Sequence, residues 1–92
     1  MEWSIKDGKH QEAVSKFLDT GAPMPTGCTL VGRYHASGSV NGWLIAETDD
    51  PTHIYAHASE WADYLNWKTT PVFNDEQAGV TSAAIWKNMN QY

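Results

Sequence analysis

The run GRYHASGSVNGWLIAETDD, Gly32 to Asp50, limits what this chain can fold into more than any other stretch. Residues up to Ala36 alternate as a strand does, and Trp43 to Thr48 alternate again. Between them lie Gly38 and Asn41-Gly42, residue types that accept positive φ, so the two runs predict a hairpin. Asp49-Asp50-Pro51 then predicts a helix start. It offers an aspartate at the N-cap, a proline in the first turn, and acids near the positive end of the helix dipole. A hairpin that leads straight into a helix supplies the middle of a sheet and aims the helix back across it.

The flanks extend this pattern. Met1 to Lys6, with Trp3 and Ile5 alternating against Glu2 and Ser4, predicts a strand with one buried face. Asp7 is the expected N-cap of a helix over Lys9 to Thr20, whose apolar side carries His10, Ala13, Val14, Phe17 and Leu18. Gly21 and the prolines at 23 and 25 stop it. Cys28 to Ala36 is the second strand. Strict alternation puts Cys28, Leu30, Gly32 and Tyr34 on one face, and Thr29, Val31, Arg33 and His35 on the other. The second helix runs to Leu65 with Ile54, Ala58, Trp61, Ala62 and Leu65 inward. Trp67 to Phe73 is a fourth strand, at an edge because it contains Pro71. A third helix follows Asn74, which with Gln77 resembles a capping box. Gly79 weakens it, Ala78, Ser82, Ile85 and Met89 form a thin stripe, and Asn88 to Tyr92 are expected to fray.

The order β-α-β-β-α-β plus a C-terminal helix predicts an α+β fold. The expected form is a ferredoxin-like antiparallel sheet with two helices on one face. The organisation read from the sequence is a domain over residues 1–78 and a helical extension over residues 79–92. Large aromatics fall on both sheet faces, so a symmetric homodimer packing sheet against sheet is the expected cover for the second face.

At 92 residues the chain forms one small domain with a modest core, reinforced by five Trp, four Tyr and two Phe. The net charge is −5 and the six basic residues are scattered, which argues against nucleic acid and against an anionic membrane surface. A single cysteine, Cys28, excludes an internal disulfide and a cysteine-rich metal site. With no apolar leader and no long apolar run, the expectation is a cytoplasmic protein.

Five blocks then carry a resemblance: FLDTGAPMPTG (Phe17 to Gly27), LVGRYHA (Leu30 to Ala36), GWLIAETDDP (Gly42 to Pro51), SEWADYLNW (Ser59 to Trp67) and TPVFNDEQA (Thr70 to Ala78). In order and content they resemble DUF3303, a family of unknown function placed in the dimeric α/β-barrel superfamily. The resemblance implies the fold and a dimer, and it implies no activity. The wider superfamily includes cofactor-free monooxygenases and isomerases, and its ligands typically sit inside each subunit, between the sheet and its helices.

Candidate site residues are weighed on that basis. His35, just before the hairpin turn, is a candidate general base or hydrogen-bond donor at a pocket mouth, against a structural role at the turn. His10 is a candidate second polar group, against a satisfied histidine at the core edge. Arg33 either anchors an anionic ligand or pairs with Glu47 on the next strand, and the pair is the expected role. Tyr34 and Trp43 are expected nearby as aromatic contacts. Trp3, Trp43, Trp61 and Trp67 either line a pocket or simply fill core and interface. His53 and His57 at i, i+4 with Glu60 have zinc-like spacing but lack a further ligand, so no metal is expected and the three read as a solvated helix flank. Cys28 reads as an ordinary thiol. No cofactor motif occurs. The leading expectation is a homodimer that binds a small organic molecule in a sheet–helix pocket. The alternatives are an accessory protein acting through its dimer and C-terminal helix, and a cofactor-free monooxygenase or isomerase.

Overall fold

The computed structural model describes residues 1–89, with side chains through Lys87. Its elements are β1 (Glu2–Ile5), α1 (His10–Thr20), β2 (Cys28–His35), a short 3₁₀ turn (Ser37–Ser39), β3 (Asn41–Thr48), α2 (Pro51–Glu60), β4 (Leu65–Lys68) and α3 (Asp75–Met89). The four strands form one open sheet in the order β2-β3-β1-β4, with every neighbouring pair antiparallel. The fold is α+β, a four-stranded antiparallel sheet with three helices.

Local chemistry sets the helix ends. α1 stops at Gly21, which adopts φ 70° and donates its N–H to the Phe17 carbonyl at 2.7 Å. Its start has no side-chain cap: Lys9, not Asp7, holds the N-cap position. α2 starts as expected, with the Asp50 carboxylate accepting from the Thr52 N–H at 2.9 Å and Pro51 in the first turn. That capping bond holds the Asp50 carboxyl below its ordinary pKa. α2 ends at Glu60, five residues before Leu65, and a turn over residues 61–64 feeds β4. β4 is accordingly earlier and shorter than the expected Trp67 to Phe73 strand. It is an edge strand, and Pro71 lies beyond it.

Cross-strand partners share a sheet face, so the register assigns the faces. Trp3 sits opposite Gly42 and Trp67, and Ile5 opposite Leu65. Leu44 sits opposite Arg33, and Gly42 opposite His35. These residues point toward α1 and α2. Glu2, Ser4, Tyr34, Asn41, Trp43, Ile45, Asn66 and Lys68 point away.

One irregularity in β2 corrects the strict alternation. Leu30 pairs with Ala46 and Gly32 with Ile45, leaving Val31 as an extra residue in a bulge. The bulge shifts the parity by one. Leu30 and Cys28 therefore share the helix side with Arg33 and His35, instead of lying opposite them.

The core is Trp3, Ala13, Ala22, Trp61 and Leu65, with Ile5, Phe17, Tyr64 and Trp67 packed against it. α1 contributes Ala13, Val14 and Phe17, but Leu18 is exposed: it falls off the narrow stripe that the small sheet can cover. Lys16 ties α1 to the end of α2. Its ammonium donates to the Glu60 carbonyl at 2.7 Å and sits 4.6 Å from the Trp61 ring centroid.

α3 stands apart. Its capping box is reciprocal, with the Asn74 N–H donating to Gln77 Oε1 at 3.0 Å and the Gln77 N–H to Asn74 Oδ1 at 2.8 Å. Every residue from Lys68 to Lys87 is exposed, and the molecule is 58 Å long but only 25 by 19 Å across. The helix begins at Asp75, inside the region expected to close the domain at residue 78. Ala78, Ser82 and Ile85 are exposed and bury no surface among the described residues; the side chains of Asn88 and Met89, and residues 90–92 of the tail expected to fray, lie outside the described residues.

Candidate functional site

A cavity of about 80 Å³ lies between the sheet and the two packed helices. The sheet supplies Trp3, Ile5, Arg33, His35, Leu44, Leu65 and Trp67. α1 supplies Val14 and Phe17, α2 supplies His57, and the turn after α2 supplies Trp61. Drug-sized pockets measure roughly 300–1,000 Å³, so this one encloses only a few heavy atoms. A larger, shallower groove of about 330 Å³ crosses the outer sheet face between Glu2, Trp43, Asn66 and Lys68. The inner cavity is the candidate site because it lies between sheet and helices with aromatic walls, beside Arg33, His35 and His57, whereas the outer groove is lined mostly by exposed side chains.

His57 sets the character of the site. Its side chain is 1% exposed, and its Nδ1 has no hydrogen-bond partner among the described residues. Burial is the main reason that its pKa falls below the ordinary histidine value, with the nearby Arg33 charge adding to the effect. The ring is therefore neutral at pH 7. Trp61 Nε1 and Trp67 Nε1 are also buried without a partner among the described residues. Each such group costs about 1–3 kcal/mol while it has no hydrogen-bond partner. The His57 and Trp67 ring centroids are 5.9 Å apart.

Arg33 closes one side. One guanidinium nitrogen, Nη2, donates to the Ala22 carbonyl at 2.7 Å, and Nη1 to the Gly21 carbonyl at 3.4 Å. These bonds pin the loop after α1 over the end of the cavity. Burial lowers its pKa, yet a guanidinium remains cationic at neutral pH. The expected pair with Glu47 does not form. Glu47 sits opposite Thr29 on the outer face, while Arg33 points inward. His35 is exposed at the mouth, its ring set edge-on against Trp3 at 5.1 Å and Phe17 at 5.2 Å between centroids.

The other sequence candidates lie elsewhere. Tyr34 and Trp43 face away from the helices, 63% and 44% exposed, because strand alternation sends them opposite to His35 and Leu44. The Trp43 indole donates to Glu2 Oε1 at 3.2 Å. Tyr34 lies over Gly32 on that same outer face. His10 Nε2 donates to the Gly38 carbonyl at 2.8 Å, fastening the start of α1 to the hairpin turn and leaving the cavity without it. Of the four tryptophans named for a pocket, Trp3, Trp61 and Trp67 line the cavity and Trp43 does not.

His57 is the residue that sequence reasoning missed. Read with His53 and Glu60 it looked like a solvated flank. Its signal was its place midway in the apolar stripe, three residues after Ile54 and four before Trp61. The two histidines do not converge. His53 Nδ1 lies 2.7 Å from Thr48 Oγ1, at the start of α2, while His57 enters the core. No group of three or more His, Cys, Asp or Glu among the described residues is placed to hold a metal ion. Burial raises the pKa of the half-buried Cys28 thiol, so it is a poorer nucleophile than a free one. No helix among the described residues is long and apolar enough to cross a membrane.

The arrangement thus offers an apolar, aromatic chamber with a fixed cation at one side, a neutral imidazole in its wall and an accessible imidazole at its mouth. Such a set can hold and orient a small molecule. The model of one protein family, a domain of unknown function (DUF3303), matches residues 1–85. No curated protein and no solved structure matches the chain.

Proposed function

The chain belongs to the DUF3303 family, and from its own geometry we propose that it binds a small organic molecule in the cavity between sheet and helices. The observation that carries this is the aromatic-walled cavity itself, lined by Trp3, Phe17, Trp61 and Trp67 with Arg33, His35 and His57 beside them. Apolar walls with a few placed polar groups are the usual makeup of ligand sites. His35 keeps the mouth position proposed for it from sequence, and Arg33 takes the alternative weighed there, a ligand-facing cation, in place of the expected pair with Glu47. Tyr34, Trp43 and His10 take no part in this site.

The strand order supports a ferredoxin-like reading, in which two subunits pair through their outer sheet faces into a dimeric α/β barrel. The exposed Tyr34, Trp43 and Ile45 on that face support the homodimer. If catalysis occurs, His35 is the group that reaches both cavity and solvent, and cofactor-free proton transfer is the chemistry it suits. The second function proposed is an accessory role through α3, supported by its exposed Val80, Ile85 and Trp86.

Native mass spectrometry tests the first proposal, comparing wild type with Val14→Trp, which fills the cavity from α1. The proposal expects a dimer that takes up small organic molecules able to seat a few heavy atoms in the cavity, and loss of that uptake in the variant. Equal uptake by both would place binding elsewhere.

A further inference from the structure

The cavity between sheet and helices is walled almost entirely by carbon, with Trp3, Ile5, Val14, Phe17, Leu44 and Leu65 supplying much of its surface. His57 Nδ1 and the indole nitrogens of Trp61 and Trp67 are sealed inside the wall and do not reach the space. Arg33 stands at one side with Nη1 and Nη2 turned to the Gly21 and Ala22 carbonyls. No aspartate or glutamate among the described residues lines the space. The remaining polar residues of the lining are His35, exposed at the mouth, and Ser39 in the hairpin turn that follows it. Each class of occupant meets a different cost. A carboxylate inside would lose its hydration and gain no donor in return. A cation would find no acceptor and would stand beside Arg33. Water in such a space needs about two to four polar partners. An uncharged hydrocarbon group loses no hydrogen bond on entry and buries its surface against the wall.

We propose that the cavity receives a short, uncharged alkyl group of about three carbons, whose parent molecule keeps its polar end at the mouth by His35. This rests on the cavity being a binding site. Size sets the length. The space is about 80 Å³, roughly half of the ~150 Å³ that holds the six carbons of benzene, so a phenyl ring is too large and about three carbons fill it. The wall enforces this limit. Trp3, Leu44 and Trp61 are all buried, and the space cannot widen without loss of their packing contacts. At the mouth, His35 can exchange a hydrogen bond with a hydroxyl, carbonyl or amide while the alkyl end stays inside.

The test is a titration of the ¹³C-methyl-labelled full chain with straight-chain primary alcohols from ethanol to hexanol, following the methyl resonances of Ile5, Val14, Leu44 and Leu65. Acetate, small enough to enter whole, is the charged probe, and benzyl alcohol is the ring probe. Affinity is expected to rise about fourfold per added methylene up to propanol or butanol, and then to level off. Acetate and benzyl alcohol should bind at these methyls about tenfold more weakly than propanol, or weaker still. Leu44→Val removes one carbon from the wall and should move the levelling-off about one methylene further along the series. Should that variant fail to fold, the wild-type series decides alone. Acetate binding as tightly as propanol overturns the uncharged ligand and leaves the binding cavity standing. An affinity still climbing at hexanol, or benzyl alcohol binding as tightly as propanol, overturns the three-carbon limit. The same levelling-off point in wild type and Leu44→Val overturns the seat given to the alkyl group. Saturation by none of the probes overturns both the ligand class and the cavity as a site.

Discussion

The indole of Trp3 occupies the space that a side chain on Gly42 would need. The two residues face each other across β1 and β3, and a methyl group built on Gly42 would run into the Trp3 ring and the Tyr34 carbonyl. Glycine stands there because the ring passes over its backbone, which lets Trp3 form one wall of the cavity. Gly42→Ala should therefore destabilise the fold by about 1–3 kcal/mol, the range for overpacking. Urea unfolding checks this, and an unchanged midpoint would show that Trp3 does not pack there.

Burial of neutral His57 makes stability depend on pH. Its pKa is lowered in the folded chain, mainly by burial and secondarily by Arg33, and returns to about 6.5 on unfolding. Between those two values the unfolded chain binds more protons than the folded one, so stability rises with pH in that window. The full contribution is present above about pH 6.5 and is lost as pH falls toward the depressed folded value. His57→Gln should flatten that slope. Urea midpoints for both proteins on either side of the window measure it; parallel profiles would mean that His57 does not titrate between the two states.

α3 should respond separately from the body. It has its own capping box and covers no buried surface among the described residues. An isolated helix of this length is marginal in water. Asn74→Ala removes a cap worth about 1 kcal/mol, so far-UV dichroism should lose helical signal while the near-UV tryptophan bands and melting temperature stay put. A lowered melting temperature would mean that α3 contributes to the body's stability.

Two tryptophans should behave differently. Trp67 packs against the core, in ring contact with Trp3 and His57, and Trp67→Ala should cost about 3–5 kcal/mol. Trp43 lies on the outer face, so Trp43→Ala should change subunit stability by less than about 1 kcal/mol but weaken the proposed dimer. Melting curves and sedimentation on the two variants separate the effects. A large loss of subunit stability from Trp43→Ala would contradict the face assigned to it.

What the sequence made legible was local. The hairpin, the Asp50-Pro51 helix start, the Gly21 stop and the Asn74–Gln77 box depend on a few adjacent residues, and all form. The inward placement of Arg33 and His35 follows from alternation once the face is known. The parity of Leu30 was not legible, because a bulge at Val31 is set by pairing with β3 and has no local marker. Nor was the burial of His57, since a polar residue in an apolar stripe is explained only by what surrounds it in three dimensions. Tyr34 and Trp43 lie on the face opposite His35 and Leu44, as strand alternation requires, so nearness in sequence to those residues does not bring them to the cavity.

The most direct test of the binding cavity is a protein-observed NMR screen of small organic fragments, with the shifted resonances mapped by residue. The account predicts that hits move Phe17, Leu44, His57 and the Trp61 and Trp67 indoles together and leave Tyr34 and Trp43 still. Hits that gather on Tyr34, Trp43 or α3, or no hits at all, would contradict it.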